Sequence, residues 1–173
     1  NYDREMRQKL KKQNFLTTLI ELDPNGNKNC EIVGSMIDYA PVEKNNLSLI
    51  KAISDSRIRI VSLTVTEGGY FLDGENGLDF TNSEIVNDIN NPNSPITVFG
   101  AIVYALNIRK NNGYRPITCL SCDNLIKNGD KLKQAVIGIA KNINKQLSDW
   151  ILENCTFPNS MVDCIVPSTG ERE

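Results

Sequence analysis

Residues 58–65 leave this chain little choice of fold. Ile58, Ile60, Val61, Leu63 and Val65 form a β-branched, nearly continuous apolar run that stops at Thr66-Glu67-Gly68-Gly69. Two substituents on Cβ restrict χ1, which suits a pleated strand better than a helix. An apolar run of this length belongs to a strand covered on both faces, as in parallel sheets. Parallel strands need long crossovers, so helices must lie on either side of the run.

The flanking sequence supplies them. Apolar spacing predicts helices over 3–12 (Met6, Leu10), 45–54 (Leu47, Ile50, Ile53), 81–90 and 98–110 (Val98, Ile102, Ala105, Leu106). A single long helix is predicted over 130–154, through Leu132, Val136, Ile139, Ile143, Leu147 and Ile151. Strands are predicted at 15–22 and 31–36, joined by the turn Asp23-Pro24-Asn25-Gly26 as a hairpin. Further strands are predicted at 117–120 and 161–166. The expected fold is α/β, a mostly parallel sheet with a hairpin, and Thr66 and Asn124 should share one carboxyl edge.

The 173 residues suffice for one domain with a real core. A formal net charge of -2 gives no electrostatic case for nucleic acid or an anionic membrane as partner. Lys9, Lys11 and Lys12 read as a solvated helix face. No apolar run approaches the roughly 20 residues of a membrane span, and no secretory signal opens the chain. Asn1 in place of Met reads as a processed or fragment end. Five cysteines at irregular spacing point to reduced thiols and a cytoplasmic protein. Cys119-x-x-Cys122 lies in a strand rather than at a helix start, and the chain has no His to complete a zinc site. These cysteines therefore read as small core residues, and no metal is expected. Without His, no Ser-His or Cys-His dyad can form either.

Ligands of open α/β sheets gather at the carboxyl ends of the strands. Two strand ends here are polar. In Thr64-Val65-Thr66-Glu67-Gly68-Gly69-Tyr70 the paired glycines permit positive φ or a close ligand approach, and the hydroxyls and carboxylate can bond a ribose or an amide. The alternative is a tight turn with a solvated Glu67. In Ser121-Cys122-Asp123-Asn124-Leu125 the polar pair either caps the next element or presents the Asn124 amide to a reacting oxygen. No G-x-G-x-x-G is present, so residue chemistry alone does not reach a cofactor.

The same strand ends carry a resemblance. The segment 57–70 (RIRIVSLTVTEGGY), Pro95-Ile96-Thr97-Val98-Phe99-Gly100, Ser121-Cys122-Asp123-Asn124-Leu125 with Asn128-Gly129, and Phe157-Pro158-Asn159-Ser160-Met161-Val162-Asp163 resemble the mannitol dehydrogenase family. That family comprises polyol-specific long-chain dehydrogenases, with fructuronate and tagaturonate reductases among its relatives. The resemblance implies an incomplete Rossmann-like dinucleotide-binding domain over 1–166, lacking the glycine-rich G-x-G-x-F-H-R-A-H-Q unit. Residues 167–173 would begin the connection to a helical catalytic domain, missing here, that supplies a catalytic Lys. It implies NAD as cofactor and a small polyol or keto-sugar as substrate in the complete oxidoreductase. Asp3 would bond the adenosine ribose hydroxyls, or else merely cap a helix, and Arg4 would lie at the adenine end. Thr64, Glu67 and Gly68 would line the cofactor side, and Asn124 would contact the substrate oxygen beside the catalytic Lys.

Two positions depart from the family pattern. Cys164 stands where the family has Arg, and Ile126 where it usually has Pro. A lost Arg removes a fixed cation with five donors. A non-enzymatic remnant of a degenerate dehydrogenase gene is therefore the alternative for this chain. A fructuronate or tagaturonate reductase parent is the alternative within the family.

Overall fold

The structure is a computed structural model that describes residues 2–41, 43–73 and 77–162. It has two compact units, residues 1–43 and 44–173. The first opens with α1 (Tyr2–Lys12), where Glu5 and Lys9 pair at 2.8 Å one turn apart. Lys9, Lys11 and Lys12 fall in its last turn, the end at which the helix dipole favours cations. Strands β1 (Thr17–Leu22) and β2 (Lys28–Val33) form the expected antiparallel hairpin, with Thr17 opposite Val33. The Asp23 carboxylate makes the turn by accepting the Asn25 and Asn27 amides at 2.9 and 2.8 Å. Gly26 takes φ +82°, which glycine adopts without a Cβ clash.

The second unit contains α2 (Leu47–Ser54), β3 (Ile60–Leu63), α3 (Ser83–Asn90), α4 (Val98–Asn111), β4 (Thr118–Ser121), α5 (Asn128–Ile143) and α6 (Lys145–Asn154). β3 and β4 are parallel, Ile60 opposite Thr118 and Leu63 opposite Ser121. Thr118 also forms a parallel bridge with Thr156. Three segments thus run the same way, joined by an α3–α4 crossover and an α5–α6 crossover. Helix α4 is apolar nearly all round because it packs against α2, α3, α5 and α6. Its Phe99, Ile102, Val103 and Leu106 are buried, each contributing about 1.5–3 kcal/mol relative to exposure.

The start of α4 explains Pro95-Ile96-Thr97-Val98-Phe99-Gly100 in structural terms. Thr97 is the N-cap and accepts the Gly100 amide at 3.0 Å. Buried Asp88 accepts the Ile96 and Thr97 amides at 2.7 and 3.0 Å, and the Thr97 hydroxyl. A Cβ at Gly100 would overlap Asp88 Oδ2, so only glycine fits.

Three expectations need correction. The predicted 130–154 helix is two helices: Asn144 is extended (φ −157°, ψ 116°), and its side chain caps α6 by accepting the Leu147 amide at 3.1 Å. Apolar spacing survives the break because both helices face the same core. The run at 58–65, expected to be covered on both faces, leaves Ile60 60% exposed, and the positive φ that Gly68 and Gly69 would permit is taken instead by Thr66 and Phe71, at the two ends of the 3-10 turn Glu67–Tyr70. Finally, Met161 and Val162 lie outside any strand, and the pairing expected at 161–166 occurs at Thr156. Residues 163–166, Cys164 included, lie outside the described residues, as do 167–173. Among the described residues no helix is long and apolar enough to cross a membrane.

Candidate functional site

The parallel register places the ends of β3, β4 and the Thr156 segment along one edge. The Cys122 amide donates to the Leu63 carbonyl at 2.8 Å and continues the ladder one step past both strands. Thr66 and Asn124 thus share that carboxyl edge, as expected. Beyond this point Asp123 turns inward, 8% exposed. Its carboxylate accepts the Val65 amide at 3.1 Å, the Thr66 amide at 2.9 Å and the Tyr70 hydroxyl at 2.9 Å. Tyr70 in turn meets the Ser121 hydroxyl at 2.6 Å. The phenol proton goes to the carboxylate, so Ser121 donates to Tyr70. Burial, then the Asp123 carboxylate, pushes the Tyr70 phenol up to about 12, against the opposing Ser121 bond. It remains a donor at neutral pH.

The third segment is tied in by Asn128, fully buried at the first position of α5. Its amide nitrogen donates to the Asp123 carbonyl at 3.0 Å and to the Ser160 carbonyl and hydroxyl at 3.1 and 2.8 Å. Its amide oxygen accepts the Ser160 and Gly129 amides at 2.9 and 2.7 Å. The residue-157–160 chain lies directly on Gly129: a Cβ there would overlap the Pro158 carbonyl and sit 2.7 Å from the Phe157 oxygen. All of these neighbours are backbone, so nothing can swing aside. Gly129→Ala is expected to cost about 3 kcal/mol, read from the urea midpoint. Gly68→Ala, with nothing within 4 Å of its Cβ, should stay within about 0.5 kcal/mol of the parent. Equal destabilisation by both would remove the packing explanation.

Around this locked frame the predicted residues stand open. Thr64, Glu67, Gly68 and Asn124 are all exposed. The side chains of Thr64, Glu67 and Asn124 have no hydrogen-bond partner among the described residues. The edge therefore offers a hydroxyl, a carboxylate, an amide and an unobstructed glycine to an incoming ligand. Ile126 is 85% exposed beside them. Asp3 lies within the first turn of α1 rather than at its cap position, and its side chain is outside the described residues. Arg4 is exposed on the same helix. These two belong to the first unit, and the other four to the second. Sequence reasoning missed Asp123 and Asn128 as the organisers of the edge. Their signal was an acidic residue just past a strand and an Asn-Gly pair opening a helix.

Cys119 and Cys155 fill the core instead of the site. Cys119 and Cys155 are buried, Cys122 is half-buried and Cys30 is exposed, all as free thiols. Burial, with Cys155 nearby, pushes the Cys119 thiol up to about 12 from about 9. The folded state holds this proton more tightly than the unfolded chain does. Its contribution is fully present below pH about 9 and is lost as pH rises toward about 12, by about 4 kcal/mol in all. Urea midpoints should therefore fall above pH about 9, and Cys119→Ala should make the fall shallower without abolishing it, because burial raises the Cys155 thiol as well. An unchanged pH profile in the variant would refute this.

The mannitol dehydrogenase Rossmann domain family matches residues 1–173. Mannitol 2-dehydrogenase of Cereibacter sphaeroides is 48% identical over 171 residues, covering 99% of this chain and 36% of that protein. The polyol:NADP oxidoreductase of Gluconobacter oxydans is 40% identical over 164 residues, covering 94% of this chain and 34% of that protein. A solved structure of Pseudomonas fluorescens mannitol 2-dehydrogenase in ternary complex with NAD and D-mannitol superposes with a TM-score of 0.89 at 39% identity, covering 99% of this chain and 35% of that one. The chain thus spans about a third of the length of these relatives. With the match running from its first residue to its last, the chain belongs to the mannitol dehydrogenase Rossmann domain family.

Proposed function

We propose that this chain is the dinucleotide-binding part of an NAD-dependent oxidoreductase that interconverts a polyol and a ketose, or a keto-sugar acid and its reduced form. The observation that carries the proposal is the carboxyl edge. There a buried hydrogen-bonded frame holds Thr64, Glu67, Gly68 and Asn124 open, with no protein partner among the described residues. Bound NAD would supply a hydride acceptor for the substrate's carbinol carbon. Thr64, Glu67 and the bare backbone at Gly68 would hold its nicotinamide half, with the open space at Gly68 allowing close approach. Asp3 would bond the adenosine ribose hydroxyls and Arg4 would lie at the adenine end. Asn124 would donate an amide N–H to the substrate oxygen as that oxygen gains negative charge. The proton acceptor would be the Lys that the family resemblance implies in a helical second domain.

Pyrophosphate affinity in such domains comes from the amides of a glycine-rich turn and the helix start behind it. The 173 residues contain no G-x-G-x-x-G. The chain by itself is therefore expected to bind NAD no more tightly than millimolar in calorimetric titration, and to leave mannitol, sorbitol and fructuronate unchanged. In its full reading frame it should bind NAD and turn over one of them. Micromolar NAD binding by the 173 residues would overturn the first statement. Absence of NAD-linked turnover in the full frame would overturn the second.

A further inference from the structure

We propose that Asp123 is a positioning residue that couples the cofactor side of the edge to the substrate side, by holding Thr66 in a strained backbone state while anchoring Asn124. The inference rests on the oxidoreductase reading above and extends it to a residue that touches neither ligand.

Thr66 sits at φ 63°, ψ 168°. This region is essentially reserved for glycine, because a Cβ there meets the flanking backbone, and a β-branched residue is the least suited to it. Such a state persists only where its surroundings impose it. Asp123 does so from the next strand, taking the Val65 and Thr66 amides on its two carboxylate oxygens. The Gly69 amide closes the turn on the Thr66 carbonyl at 3.1 Å. The buried carboxylate forms no ion pair among the described residues. Its charge is met only by two amides and the Tyr70 hydroxyl, and two apolar residues could pack here without that desolvation cost. The same residue's backbone is held by Ser121 Oγ and Asn128, and the next residue in the chain is Asn124. One side chain therefore sets the bend before Glu67 and Gly68, and its own backbone sets where Asn124 begins.

The test uses the protein in its full reading frame. Asp123→Asn keeps the shape but turns one acceptor into a donor that faces an amide N–H. Misplacing the two sides should lower kcat about 10- to 100-fold, with NAD affinity changed less than about 3-fold because the pyrophosphate contacts lie elsewhere. Adding Thr66→Gly should restore much of the lost kcat, since glycine takes the bend without strain. A purely structural role would lower the melting temperature and leave kcat per folded enzyme unchanged, and that result overturns the proposal. So does a kcat loss that Thr66→Gly fails to relieve. If Asp123→Asn does not fold, Tyr70→Phe, which removes one of the three donors, should lower kcat roughly 3- to 10-fold; no loss overturns the proposal. If the parent itself shows no NAD-linked turnover, the oxidoreductase reading has failed. Hydrogen exchange on the 173 residues still tests the coupling. Val65 and Thr66 amides should be protected in the parent and unprotected in Asp123→Asn, and equal exchange in both overturns it.

Discussion

Arg109→Met is expected to destabilise the second unit by about 3–5 kcal/mol, with the urea transition followed through Trp150, the chain's one tryptophan. Arg109 is fully buried near the end of α4. All five of its N–H donors are used, and every acceptor is a backbone carbonyl. Nε and Nη2 donate to Arg115 at 3.0 and 2.7 Å, Nη1 to Ile53 at 2.9 Å and to Asp55, and Nη2 to Ile58 at 3.1 Å. These carbonyls belong to the chain entering β3 and β4, so one guanidinium fastens the amino edge of the sheet. Methionine fills similar volume but leaves the Ile53, Ile58 and Arg115 carbonyls without this donor, the Asp55 carbonyl keeping the Ile58 amide, and each buried orphan costs about 1–3 kcal/mol before relaxation. Arg109→Lys should recover only part of the loss, because an ammonium has three donors and no planar fork. A Met variant within 1 kcal/mol of the parent would show that water reaches these carbonyls.

Asn124→Ala should behave in the opposite way, with stability nearly unchanged and chemistry badly impaired. Asn124 is exposed, and its side chain bonds nothing among the described residues, so truncation should cost under about 0.5 kcal/mol. In the full reading frame the proposed role predicts a kcat about 100- to 1000-fold lower. That is the usual cost of losing one donor aimed at developing oxyanion charge. The NAD dissociation constant should stay within a few fold, because the amide addresses the substrate and not the dinucleotide. Equal losses in kcat and NAD affinity would move Asn124 from the substrate side to the cofactor side. Taken with Arg109, the two variants separate the sheet's edges: the amino edge maintains the fold and the carboxyl edge carries the proposed chemistry.

The strand at Ile60–Leu63 and the hairpin turn at Asp23 to Gly26 were legible because their causes are local. β-branched crowding and an Asx-type turn act within a few residues. Helix α4 was legible within one residue, since its Thr97 cap and its stop near Gly113 are also local. The break at Asn144 was not, because α5 and α6 show the core the same apolar spacing on both sides of it. Nor was the backbone at Thr66. Composition made the glycines next door the residues able to take a special φ, whereas the bond from Asp123, 57 residues away, placed it on a threonine.

By itself the sequence determined the α/β class, the order of the elements as far as β4 and the two polar strand ends. Each of these follows from side-chain period and turn chemistry within a short window. Only the tertiary structure decided which polar residues are frame and which are open. Asp123 and Asn124 are adjacent and equally polar in the sequence. The parallel register of β3 and β4 turns the first toward the Thr66 amide and leaves the second in solvent. That choice depends on where unpaired backbone amides arrive from a distant strand, since a buried N–H must find an acceptor. A single chain of letters holds no record of that meeting point.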